Sequence, residues 1–381
     1  MEELSSNNKP KRVQYFDQIK ALMIGLVITV HAGMAFEYSW CGVSIPTGGQ
    51  QGLLFQGFLQ WYSYTCNSFF MCMLFLISGY FVPKSVKNKG ISQYLKERIK
   101  RLGIPFAFGL LVINNSSLLL GRFSPDSPLA SIPWNQWPLN HVMVLWFLIV
   151  LFAFDLIYCT WIKLSGASFL VDTSIETPKL RSWLISASAL AIVEIGMSTQ
   201  QDFWRLLLSS PLDGIGVQGI HLFTYAFLFF LGCKAASHHW LERIDTHLAV
   251  RWFRLSLCLS LFILGLTLTL KFQGETSDYE RQLNLLELAL NTFIGWGFMA
   301  RILVWFQRTE AQWGPWLAQA GVDSFGAYII HPLILVMAIM LIGFIGLNHW
   351  IIFIGASILG IIISFSISHQ LRRIPIIAKV I

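Results

Sequence analysis

The sequence predicts an all-α protein that crosses a membrane about ten times, and three observations carry that expectation. Hydrophobic residues make up 55% of the 381-residue chain and charged residues only 12%, about half the charge of an ordinary soluble domain. The mean hydropathy is +0.60. Ten apolar stretches are long enough to cross a hydrocarbon core as helices. Of the 27 Lys and Arg residues, 23 fall in the N-terminal tail, at Lys20 or in alternate connections, leaving Arg122, Arg205, Lys271 and Arg281 on the other side. Positive residues stay cytoplasmic, so both termini are expected there. A wrong span count would scramble this segregation. The same distribution excludes nucleic acid as a partner, because the net charge of +7 is spread over membrane-flanking connections.

In chain order, residues 1–12 are polar and basic and read as a disordered cytoplasmic tail. Residues 13–375 read as one transmembrane domain and 376–381 as a short cytoplasmic tail. The first span, Phe16–Phe36, is too long for a cleavable signal peptide and carries charges within it. The expected spans that follow are Tyr64–Val82, Leu102–Leu120, Val142–Ile162, Trp183–Met197 and Ile220–Ala236. The last four are Trp252–Leu270, Leu285–Trp305, Phe325–Leu341 and Trp350–Ile367. The connections Glu37–Ser63 and Gly121–Asn140 face outward and are rich in Gly, Pro, Ser and Trp. They read either as a carbohydrate-facing rim, since aromatic faces stack on sugar rings, or as plain connectors. The six Cys show no CxxC and no Cys/His ligand spacing, so no metal site is expected.

Ionisable residues inside a span are costly and mark candidate functional sites. Asp17, Lys20 and His31 share one stripe of the first span, with His31 about 16 Å deeper than Lys20 at ~1.5 Å per residue. The alternative is an interfacial pair of anchors and a packed imidazole. Lys84–Pro105 holds seven basic residues and one acid. Within it Arg98 and Arg101 are three apart, a spacing that suits a phosphate or diphosphate gripped by guanidiniums. Topology determination and anionic lipid headgroups are the competing reading for the cluster. Trp146 and Asp155 lie on the fourth span, the latter able to pair with an intramembrane base. Asn114 to Ser117 form a polar patch on the third, Glu194 is buried on the fifth, and His221 opens the sixth at the interface. Tyr328 and His331 share a face of the ninth span, with Pro332 expected to kink the helix after them. A neutral imidazole such as His31 suits a base that takes a proton from a hydroxyl.

Together these residues resemble the acyltransferase 3 family of integral membrane acyltransferases, from Tyr15 to about Pro375. Lys20 and His31 fit its pattern of a basic residue, ten positions, then histidine. Arg98-Ile-Lys-Arg101 fits its RxxR pattern. FLISGYF from Phe75 to Phe81, LWFL from Leu145 to Leu148 and YIIHP from Tyr328 to Pro332 also read as its members do. RVQYFDQIKA, RLGIP and the closing LRRIP make the chain most similar to the glucan biosynthesis protein C group, associated with succinylation of periplasmic glucans. The resemblance implies acyl transfer from cytoplasmic acyl-CoA, with succinyl-CoA or acetyl-CoA as donor substrate and no permanently bound cofactor. The acceptor implied is a hydroxyl of an extracytoplasmic glucan or other surface carbohydrate, and the location a bacterial cytoplasmic (inner) membrane. It implies CoA phosphates on Lys20, Arg98 and Arg101, and His31 as base or acyl carrier. His331 and Tyr328 would assist His31, and Asp17, Trp146 and Asp155 would support the site. Lys20 stands where members more often carry Arg, and so keeps the charge without the bidentate fork.

The competing class is a secondary transporter of an organic anion or sugar, which would show paired broken helices in two related halves. Pro332 is one intramembrane proline at a suggestive place, without a counterpart in the first half. A non-enzymatic assembly partner is the third class.

Overall fold

The computed structural model describes residues 13–47, 49–137, 141–166, 176–199 and 220–381. The tail 1–12 and Arg205 lie outside the described residues. Among the described residues helix is the regular structure, apart from one isolated bridge between Trp40 and Val43. The helices are α1 Gln14–Glu37, α2 Gly49–Asn67, α3 Phe70–Lys89 and α4 Ile91–Arg122. They continue as α5 Trp146–Ser165, α6 Leu180–Thr199, α7 Leu222–His238 and α8 Thr246–Gln273. The last are α9 Thr276–Thr309, α10 Gly314–Ile342 and α11 His349–Arg372. Among the described residues nine stretches are long and apolar enough to cross a membrane. The remaining expected span, Ile220–Ala236, is α7, whose 17 residues sit at the lower limit of a crossing helix. The chain is an all-α, multi-pass integral membrane protein.

Two expectations need correction. Glu37–Ser63 is not an open loop, because its second half is α2, which runs through a brief break at Ser68 and Phe69 into α3. Gly and Gln residues dilute its helical signal, and packing overrides that weak propensity. Phe55 and Leu59 are fully buried. Trp61 donates its indole N–H to Ser260 Oγ at 2.7 Å, and the Tyr64 hydroxyl donates to the Glu287 carbonyl at 2.8 Å. The basic connection expected after the second span, Lys84–Pro105, is helical as well. It consists of the ends of α3 and α4, which meet at Gly90 in a positive-φ conformation (φ 75°). α4 contains two π-helical turns, Ile99–Gly103 and Gly109–Asn114.

Small residues set how closely the helices cross. A Cβ on Gly79 of α3 would fall 2.0 Å from the Phe229 carbonyl oxygen, and one on Gly232 of α7 would fall 2.2 Å from that of Leu76. α3 and α7 therefore touch backbone to backbone. α1 and α10 do the same where Gly321 meets the Asp17 carbonyl. Glu310, between α9 and α10, accepts the Gln14 and Tyr15 amides at 2.8 and 3.1 Å and so caps the start of α1. Arg372 at the end of α11 pairs with Asp323 of α10 at 3.2 Å. The start of α1 and the end of α11 thus share the basic face. α10 is a continuous helix through Pro332, with no unwound segment of the kind a transporter's broken helix requires.

Candidate active site

The first and ninth spans of the sequence meet at two imidazoles. His31 of α1 and His331 of α10 are 300 residues apart, yet His331 Nε2 lies 3.1 Å from His31 Nδ1 and the rings stack at 5.1 Å. His331 is fully buried, whereas His31 is half-buried. The hydrogens follow from the partners. His331 Nδ1 is 2.6 Å from the Tyr328 carbonyl, which only accepts, so Nδ1–H donates. With one hydrogen on each ring, His331 Nε2 is a lone pair and receives His31 Nδ1–H. That leaves His31 Nε2 as a free lone pair on the accessible ring. The order carbonyl, imidazole, imidazole orients a base as a third group does in a nucleophile–base–orienter arrangement.

Trp40 stacks on His31, with ring centroids 4.5 Å apart and planes 28° from parallel, and lies 6.3 Å from His331, so the three rings form one cluster. A tight turn puts it there. Trp40 and Val43 exchange both backbone hydrogen bonds at 2.9 Å, and the two residues between them, Cys41 and Gly42, have φ of 51° and 91°. Positive φ at both central positions defines a type I′ turn, which glycine favours. The turn is pressed onto α4, since a Cβ on Gly121 would lie 1.8 Å from the Cys41 carbonyl oxygen. Trp40 is 6% exposed, and its indole N–H is buried with no hydrogen-bond partner among the described residues. Burying an unsatisfied donor costs about 1–3 kcal/mol. The sequence reading missed Trp40 as an individual residue; the available signal was a glycine following the turn's first central position, two residues after a tryptophan.

The other candidates fall into separate environments. Asp17 and Lys20 pair at 3.3 Å, and the Lys20 ammonium sits over the Phe81 ring at 5.3 Å. Arg98 is joined to Asp155 of α5, with Nε 2.7 Å from Oδ2 and Nη2 3.2 Å from Oδ1. Tyr94 donates its hydroxyl to the same carboxylate at 2.5 Å. Arg98 thus pairs with Asp155 through charge and one hydrogen bond from Nη2, while its Nε–H donates to the Tyr94 hydroxyl at 3.0 Å, leaving one terminal nitrogen for any other anion. Arg101 is exposed. The wide turn over Ile99–Gly103 separates the surroundings of the two arginines. The Tyr328 hydroxyl donates to the Val144 carbonyl, so Tyr328 hydrogen-bonds the histidine pair through its backbone carbonyl, with its ring 5.9 Å from that of His331. Trp146 stacks on Tyr225 at 5.5 Å within an aromatic layer with Phe75 and Phe147.

Other polar residues serve the bundle. Asn114 donates to the carbonyls of His141 and Val142 at 2.7 and 3.1 Å, fixing the entry to α5. His221 does not stand alone at the interface. Its Nδ1 is 2.9 Å from Glu194, whose carboxylate also accepts from Thr224 and Asn291. Trp134 and Trp137 of the outer connection stack against Arg122 at 4.2 and 5.1 Å. Cys41 and Cys66 are free thiols, and among the described residues no group of His, Cys, Asp or Glu is arranged to hold a metal.

A family model described as an acyltransferase domain matches residues 13–369, nearly the whole chain and including both members of the histidine pair. The chain belongs to the acyltransferase 3 family. No curated protein matches the sequence. Family membership identifies an acyltransferase. The histidine pair of this acyltransferase lies across α1 and α10, with the Asp17–Lys20 pair at the basic end of α1 and the Trp40 turn at the opposite end.

Proposed function

We propose that this acyltransferase moves an acyl group, succinyl or acetyl, from cytoplasmic acyl-CoA to a hydroxyl of an extracytoplasmic glucan or other surface carbohydrate. The observation that supports it most is the ordered hydrogen-bond chain from the Tyr328 carbonyl through His331 to His31, which leaves His31 Nε2 as an accessible lone pair. That nitrogen takes the proton of the acceptor hydroxyl. The hydroxyl oxygen attacks the thioester carbonyl carbon, and the C–S bond breaks as the tetrahedral intermediate collapses. The CoA thiolate recovers the proton from His31, so an ester and free CoA thiol leave. His31 Nδ1–H donates to His331 throughout, and the pair shares the charge that develops on His31.

The donor's phosphates are assigned to Arg101, the remaining nitrogen of Arg98 and Lys20, at the basic end of α1 and α4. The span of about 16 Å from Lys20 to His31 at ~1.5 Å per residue is one an extended pantetheine arm reaches. The test is binding of CoA, acetyl-CoA and succinyl-CoA to purified protein in detergent, beside Arg98→Ala/Arg101→Ala. Micromolar binding by the wild type, weakened at least about tenfold in the variant, is the expected result. No binding by folded wild type sinks the cytoplasmic-CoA mechanism, and the preferred thioester names the acyl group.

The indole N–H of Trp40, without a partner among the described residues and on the ring that stacks on His31, is assigned to the thioester carbonyl oxygen as it becomes an oxyanion. Loss of one such donor costs about 10²–10³ in kcat. Trp40→Phe keeps the stacked ring and removes the donor. It is expected to lower kcat by about that factor with little change in KM for either substrate. Full activity in the Phe variant with loss in Trp40→Ala would reduce Trp40 to a stacking partner.

A further inference from the structure

A second chamber lies apart from the histidine pair. In the basic half of the bundle α5 to α9 line a half-open cavity of about 2160 Å³, about twice the ~1,000 Å³ upper end of small-molecule pockets. None of Lys20, His31, Trp40, Arg98, Arg101 or His331 lines it. The backbone-to-backbone contact of α3 and α7 at Gly79 and Gly232 runs along it, with Leu76 forming that part of its wall.

Its chemistry is two-sided. Trp161, Trp183, Phe227, Leu231, Trp296 and Met299 make apolar walls. Lys179, Lys234, Arg243 and Arg251 bring positive charge, against Glu176 and Asp245. The two acids are already engaged, Glu176 by Lys179 at 3.0 Å and Asp245 as the N-cap of α8, accepting the His247 amide at 2.9 Å. Among the described residues Arg243 and Arg251 have no ion-pair partner. His238 also lines the chamber; it is 8% exposed, and its Nδ1 is buried without a hydrogen-bond partner among the described residues.

We propose that the chamber holds an anionic phospholipid of the cytoplasmic leaflet. The headgroup phosphate sits on Arg243, Arg251 and Lys234, His238 bonds a glycerol or headgroup oxygen, and the acyl chains lie along the tryptophan and phenylalanine walls. A soluble anion has no use for those walls, and a zwitterionic or neutral lipid leaves the cations unmatched. Basic pockets between membrane helices on the cytoplasmic side recognise anionic headgroups in this way. The assignment is independent of the acyl-transfer reading.

Tryptophans in the wall supply the readout. Purified protein in neutral detergent is titrated with phosphatidylglycerol or phosphatidylcholine carrying brominated chains, and tryptophan quenching is followed. Phosphatidylglycerol is expected to quench saturably and phosphatidylcholine not to. Arg243→Gln/Arg251→Gln is expected to raise the half-saturating lipid about tenfold or more, and Trp183→Phe/Trp296→Phe to shrink the quenched fraction. Equal quenching by both lipids, an unchanged titration of the arginine variant, or an unchanged quenched fraction in the tryptophan variant each overturns the proposal. Displacement of bound phosphatidylglycerol by soluble CoA would also overturn it and give the chamber to a nucleotide. If the arginine variant does not keep the wild-type melting temperature, Lys234→Gln serves in its place.

Discussion

His31→Gln is expected to lower acyl transfer by about 10²–10⁴-fold while leaving expression, fold and CoA affinity in place. Glutamine approximates the polar shape of the imidazole but cannot take up a proton. His331 acts on His31 from behind, fully buried and 3.1 Å away, so its effect should run through His31. His331→Gln alone should lower kcat, and in the His31→Gln background it should add almost nothing, because groups that act as a unit are not additive. Rates of pure wild type, both single variants and the double variant decide the matter. Independent, multiplying losses would separate the two imidazoles, and a His31→Gln enzyme within a few-fold of wild type would remove the base altogether.

The second large effect is structural. Asp155 is fully buried and pairs with Arg98 through charge and one hydrogen bond. Asp155→Ala strands a guanidinium in a low-dielectric setting, and breaking such a pair costs about 3–5 kcal/mol. The expected observation is a large drop in unfolding free energy measured by denaturant titration in mixed micelles. Arg98→Met/Asp155→Leu should recover most of it, since apolar replacements of a buried pair are often neutral or stabilising. If the double variant is as unstable as the sum of the singles, the two side chains do not act as a pair. The same double variant separates stability from ligand binding. A folded protein with weakened CoA affinity would assign the remaining nitrogen of Arg98 to the donor phosphate, and undiminished affinity would leave that role to Arg101 and Lys20.

Much of the bundle was legible in the sequence because its signals are local. A run of about twenty apolar residues crosses a bilayer wherever its neighbours lie, and the basic residues orient it. The stripe of Asp17, Lys20 and His31 needed only the helical period of α1. α2 was hidden because its Gly and Gln residues weaken a helix that packing restores, although Phe55, Leu59, Tyr62 and Cys66 keep a helical spacing. Trp40 was hidden because a two-residue turn, pressed onto Gly121, decides where its ring goes. Glu310 at the start of α1 and Glu194 beside His221 carry no local mark of their partners.

The sequence by itself determined an all-α membrane bundle, and it supplied an expected orientation and a set of candidate residues. In a bilayer every backbone group must be satisfied within its own helix, so the span is written in the span. Which ionisable side chains meet was decided only by the tertiary structure. His31 finds His331, Arg98 finds Asp155, and Asp17 passes against Gly321 through helix crossings whose closeness rests on single glycines. Partners hundreds of residues apart share no periodicity, and only packing brings their few polar atoms within hydrogen-bond reach.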